Sequence, residues 1–306
     1  MFISLKGYGF MNWKFFCDRA GRGLTLLCAA LVIVLTVSII YFISSKGLAT
    51  FFTNGISLRE FLFSDQWAPD RAAVDGGPLV GAKAFIVGSV LVSLLAVGVS
   101  APLGIIVAVF IVEIAPGWGQ RVLQPAVELL AGIPSVVYGY IGLSLLVPLI
   151  RTYLGGGGFS LLAGFLVLSV MILPTIISVS TDSIRALPVE WKHASYALGS
   201  TRWQTIRMVL VPAARSGLIT AVVLGMARAF GEALAVQMVI GNTREIPTSI
   251  LSPMMTLTSA ITMDMGATVV GTTWNNALWS MGLLLLLMSL CFILIIRVVV
   301  RRGAVQ

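Results

Sequence analysis

Uncharged apolar stretches of membrane length recur along this chain, and no water-soluble core can absorb them. Gly23–Ser45, Ala84–Val112, Leu129–Ile150 and Leu278–Ile296 contain no Asp, Glu, Lys or Arg. Another stretch lies within Thr152–Thr181, from about Ser160 onward, behind the flexible turn Gly155–Gly158. A sixth runs from about Gly217 to Gly241. A bilayer core takes about 20 apolar residues per helix, so six spans are expected. Composition agrees: 58% of the 306 residues are hydrophobic and 10% charged, against about 25% charged in soluble domains. Lipid offers the backbone no hydrogen bonds, so such spans must be helices or a closed barrel. Their length and unbroken apolarity select helices, hence an all-α polytopic membrane bundle.

The net charge of +8 could suggest nucleic acid, but its distribution points to lipid headgroups. Basic residues lie between the apolar segments and at their ends. Lys6, Lys14, Arg19 and Arg22 precede the first span, against Asp18 alone. Arg185, Lys192, Arg202, Arg207 and Arg215 follow the fourth, and Arg297, Arg301 and Arg302 follow the sixth. The stretch between the first two spans balances its bases with Glu60, Asp65, Asp70 and Asp75, and that between the last two carries Arg244 as its one base. The positive-inside rule then places both termini in the cytoplasm. The expected division is a tail at 1–22, a span at 23–45, an external loop at 46–83, a core at 84–297 and a second tail at 298–306. The first apolar segment lacks a small-residue cleavage site and reads as an uncleaved span. Cys17, Cys28 and Cys291 have no metal or redox spacing. No cofactor or metal is implied.

Pro102, Pro134, Pro148 and Pro174 lie in or next to spans, where each removes an amide donor and bends a helix. One span also carries charge. Arg228 and Glu232 sit four residues apart in the fifth. On an ideal helix they fall within about 80° of Ala221, Gly225 and Ala235. Charge at bilayer depth is costly and faces a bundle interior or a polar path. Two readings remain open. The pair either neutralises itself and pins helices together, or Arg228 offers its fork of donors to an anion while Glu232 holds it.

The stretch after the fourth span, residues 185–211, reads as two short helices. Pro188 suits the start of a helix over Val189–Leu198, Gly199 ends it, and Ser200 or Thr201 caps the next. Trp203, Ile206 and Leu210 give that second helix an apolar face. Small residues at Ala194, Ser195 and Ala197 would let a partner backbone approach closely. His193, the single histidine, has no neighbours that make a metal site.

This stretch resembles the coupling-helix motif of binding-protein-dependent ABC importer permeases, roughly Glu-Ala-Ala, three residues, Gly, and a later apolar-Pro pair. The pattern falls on His193, Ala194, Ser195, Gly199, Val211 and Pro212. His193 stands at the usual glutamate and Ser195 at the second alanine, while Glu190 lies one turn earlier. Two further stretches, Ala131-Gly132-Ile133-Pro134-Ser135-Val136-Val137-Tyr138-Gly139 and Arg228-Ala229-Phe230-Gly231-Glu232-Ala233-Leu234-Ala235-Val236, are similar to signatures of phosphate importer permeases of the C type. The external loop with Phe61, Leu62, Trp67 and Pro69 fits the same pattern.

The resemblance implies a type I ABC importer permease fold with a cytoplasmic coupling helix, in a bacterial cytoplasmic membrane. It assigns Glu190, His193, Ala194, Ser195, Ala197 and Gly199 to coupling, and Arg228 and Glu232 to the substrate path. It implies inorganic phosphate as cargo, an A-type permease subunit, two copies of an ATPase subunit, an external or periplasmic phosphate-binding protein, and membrane lipids, but no nucleic acid. The sequence holds no phosphate-binding loop ending in Lys-Ser/Thr, so ATP hydrolysis is expected of a separate subunit. Permeation of another oxyanion (molybdate, sulfate or phosphonate) stays open within the class. A sensing scaffold and an intramembrane enzyme are the readings outside it.

Overall fold

A computed structural model describes residues 7–71 and 76–303. The expectations placed on the side chains of Lys6, Lys14, Cys17, Asp75, Arg301 and Arg302 lie outside the described residues. The fold is an all-α polytopic bundle. Among the described residues five helices are long and apolar enough to cross a membrane, and a sixth span results when Arg202–Ala213 and Arg215–Gly231, bent by 68°, are taken together.

Three helices form the centre. The second span, Lys83–Val109, and the fourth, Leu161–Arg185, share the most extensive contact, and Arg215–Gly231 packs across both. Small residues make this possible, because apolar side chains gain little by leaving lipid and close backbone approach does the work instead. A Cβ on Gly104 would meet Ile176 Cγ2 at 2.7 Å, and one on Gly225 would meet Ile176 Cγ1 at 2.7 Å. Ile176 is fully buried between them. Ser100 and Ser169 stitch the same crossing: Ser100 Oγ donates to the Ser169 carbonyl at 3.0 Å, and Ser169 Oγ to the Ala96 carbonyl at 3.2 Å.

The first helix departs most from its expected bounds. It runs Gly7–Phe52 rather than 23–45. Most of its length faces outward, with Leu24, Leu31 and Ile39 each more than half exposed. Only its last turns meet the final helix, Thr273–Gly303. There Ser280 Oγ donates to the Gly47 carbonyl at 2.5 Å, and Phe42 meets Trp279 edge-on at 5.1 Å. The loop that follows therefore begins at Thr53. It holds a short helix, Leu58–Phe63, capped by Ser57, and a two-stranded antiparallel ribbon pairing Trp67 with Val80. Phe61, Trp67 and Phe85 bury this loop against the start of the second span.

Two expected spans are interrupted. The stretch expected as Leu129–Ile150 divides at Ile133, whose backbone is extended before Pro134. The spanning helix is Ser135–Leu154, and Gln124–Gly132 lies before it. Proline disfavours helical backbone in the residue ahead of it, which accounts for the break. The fifth span likewise ends at Gly231 instead of continuing to Gly241. The chain then forms one turn, Leu234–Gln237, and later re-enters the bundle as the helix Leu257–Asp264, whose first amide is held by Ser89 Oγ at 2.8 Å.

Candidate functional site

The end of the fifth span separates the two charges expected to pair. Glu232 has extended backbone (φ −77°, ψ 127°), so the shared face extrapolated through Ala235 does not exist. Its carboxylate turns back to the main chain, where Oε1 accepts the Ala235 amide at 3.0 Å. Its carbonyl accepts Thr258 Oγ1 at 2.8 Å, tying the break to the re-entrant helix. Gly231 favours the interruption because glycine holds helical backbone poorly. Among the described residues the ion pairs are Arg22–Asp18, Lys192–Glu113 and Arg244–Asp264. Arg228 and Glu232 make none.

Arg228 instead crosses to the fourth span, donating from Nη1 to Thr175 Oγ1 at 3.3 Å. Thr175 follows Pro174 near the middle of Leu161–Arg185, so the contact lies about midway along the fourth span. Both Arg228 and Glu232 are half-buried. A guanidinium has five donors in a rigid fork, and here a neutral hydroxyl holds one of them. The cationic charge has no carboxylate partner among the described residues. Toward the loop end of the bundle, hydroxyls and amides continue: Thr262 Oγ1 donates to Gln237 Oε1 at 2.7 Å, and Thr256 lies 2.8 Å from Ser259. Arg244 and Asp264, 3.3 Å apart, form the charged pair beyond them. An apolar hollow of about 500 Å³ between the second, third and fourth spans has a different character. Its Tyr138 hydroxyl is engaged by the Leu130 carbonyl at 2.7 Å, and no Asp, Glu, Lys or Arg lines it.

At the opposite end, residues 186–214 form a compact knob. Val189–Ala197 is helical, Gly199 ends it at φ +83°, and Thr201 caps the next helix in a reciprocal box with Gln204. Glu190, His193, Ala194, Ala197 and Gly199 are exposed, the first four at the spacing of a single helix face. Ser195 differs from the expectation that it faces a partner. It is buried, within 2.6 Å of Ser200 Oγ and 2.9 Å of Thr205 Oγ1, and this hydroxyl cluster joins the two short helices. Leu198 is 90% exposed, and with Trp191 and Met208 it borders a groove of about 640 Å³. Trp203, placed on the apolar face by its spacing, is largely exposed, whereas Ile206 and Leu210 are buried against Ala108, Val109 and Ile184.

Three residues escape sequence reasoning because their partners are remote. Lys192 Nζ lies 2.5 Å from Glu113 Oε2 at the end of the second span. Arg202 donates to the carbonyls of Glu113 and Ile114. The available signal was a lone acid closing an apolar span, which a membrane helix tolerates only with a partner.

Residues 100–304 match the family model described as binding-protein-dependent transport system inner membrane component. The chain is 57% identical over 278 residues to the probable ABC transporter permease protein YqgH of Bacillus subtilis, covering 90% of this chain and 89% of that one. It is 35% identical over 308 residues to the phosphate transport system permease protein PstC of Mesorhizobium japonicum, covering 93% and 90%. Among solved structures, an inward-facing conformation of the MetNI methionine ABC transporter aligns with TM-score 0.50 at 19% identity, over 74% of this chain and 95% of that one.

Proposed function

This chain belongs to the family of binding-protein-dependent transport system inner membrane components, and from that premise we propose that its cargo is inorganic phosphate. It is the permease subunit of an ABC-type importer, a polytopic protein of the inner membrane. The single observation that carries the phosphate reading is Arg228, a half-buried cation held by the Thr175 hydroxyl rather than by an acid. Its remaining donors suit phosphate oxygens in a bidentate grip. Relatives named as phosphate transport permeases support the same cargo.

The mechanism follows from the two ends of the bundle. An external phosphate-binding protein delivers the anion to the loop end, where Gln237, Thr258 and Thr262 supply neutral polar groups. Arg228 receives it. A site with one unpaired cation attracts an anion, and the absence of a closed cage of charges lets it leave, as passage requires. At the other end, the exposed face Glu190–Ala197 docks on the ATPase dimer, with His193 where the motif has its glutamate. ATP-driven closure moves the knob and with it the spans. An A-type permease completes the pathway, and both termini lie in the cytoplasm.

The test is ATP-driven uptake of labelled phosphate by the complete complex in proteoliposomes, with excess sulfate and molybdate as competitors. Uptake that resists both is expected. Uptake abolished by either competitor, in a complex that hydrolyses ATP, would replace phosphate with that oxyanion.

A further inference from the structure

The knob is continuous in sequence with the fourth and fifth spans, so its motion reaches them directly. The second span has no such connection, since Glu113 and Lys192 lie 79 positions apart in the sequence. Yet the end of that span is held by both short helices of the knob. Lys192 on the first reaches the Glu113 carboxylate at 2.5 Å, and Arg202 on the second takes the carbonyls of Glu113 and Ile114. The backbone there widens into a π-helical turn, Phe110–Ile114. Ser195, Ser200 and Thr205 fasten the two short helices to each other.

We infer that Glu113 is the positioning residue through which the knob drives the second span during transport. The inference rests on the reading that Val189–Ala197 docks on an ATPase. Apolar contacts alone, such as Ile206 against Val109, can slide as two helices shift. A nearly buried carboxylate facing an ammonium does not slide, because separating the charges leaves one of them desolvated and unpaired. Lys192 keeps about a third of its side chain exposed, so it has room to follow its partner. The second span also carries Gly104, against which Ile176 packs, so its movement is felt at the layer that holds Thr175 and Arg228.

The experiment compares labelled phosphate taken up with ATP hydrolysed, in the complete complex with its binding protein. The variants are Glu113→Gln, Lys192→Gln and the swap Glu113→Lys with Lys192→Glu. In each single variant uptake is expected to fall at least tenfold more than hydrolysis. The swap is expected to recover at least threefold of the lost ratio, short of full recovery because Arg202 stands beside position 113. Glu113→Gln is the safeguard against misfolding, since it removes the nearly buried charge and leaves behind the partly exposed one. Uptake and hydrolysis falling in proportion in both single variants would reduce the pair to a structural brace and overturn the inference. A native ratio in both would do the same. Failure of the unsubstituted complex to take up phosphate while it hydrolyses ATP would instead overturn the phosphate reading, and the same ratios would then be measured with the oxyanion it does carry.

Discussion

Arg228 and Glu232 show how little sequence proximity says about side-chain partnership. Four residues apart, they select different neighbours, one a hydroxyl on another span and the other a backbone amide three residues on. Glu232 therefore acts first on the local fold. Exchange for Gln retains an acceptor for the Ala235 amide and is expected to leave thermal unfolding of the solubilised complex unchanged. Exchange for Ala should cost about 1 kcal/mol, the net worth of one hydrogen bond. A large loss with Gln would restore the ion-pair reading. The residue types at this site were legible, since charge inside an apolar span is conspicuous. Their pairing was not, because it depends on a helix end that Gly231 permits and the Thr258 contact fixes.

Among elements, the crossing of the second, fourth and fifth spans sets the geometry of the site. Ile176 occupies space that glycine vacates on both sides, so Gly225→Ala should force a shift and cost about 1–3 kcal/mol. Trimming the obstacle with Ile176→Val should relieve part of it, and the double variant should lose less stability than the two single losses summed. Strict additivity in unfolding would contradict the packing described. The long uncharged helices were legible from hydropathy, and the turn at Gly199 and the cap at Thr201 from local chemistry. The break at Ile133 has a local cause in Pro134 that an apolarity count overlooks. The extension of the first helix to Phe52 has a remote one, the contact of Gly47 and Thr50 with Ser280.

For the whole molecule, charge and fold agree on which ends belong together. Residues 186–214 and the start of the first helix share one end, while Asn54 meets Thr273 and Asn276 at the other. With the basic end cytoplasmic, Leu198→Cys in a cysteine-free background should react with an impermeant thiol reagent only from the cytoplasmic face, once ATPase is stripped. Val270→Cys, 77% exposed at the opposite end, should react only from outside. Labelling of both from one face would contradict the topology.

We propose above all that the uncompensated charge at Arg228 receives the transported anion. Phosphate uptake by the assembled complex carrying Arg228→Gln tests it most directly, with Arg228→Lys as the variant that keeps charge and loses the fork. Background uptake is expected for Gln, intermediate uptake for Lys, and intact assembly in both. Native uptake by the Gln variant would contradict it.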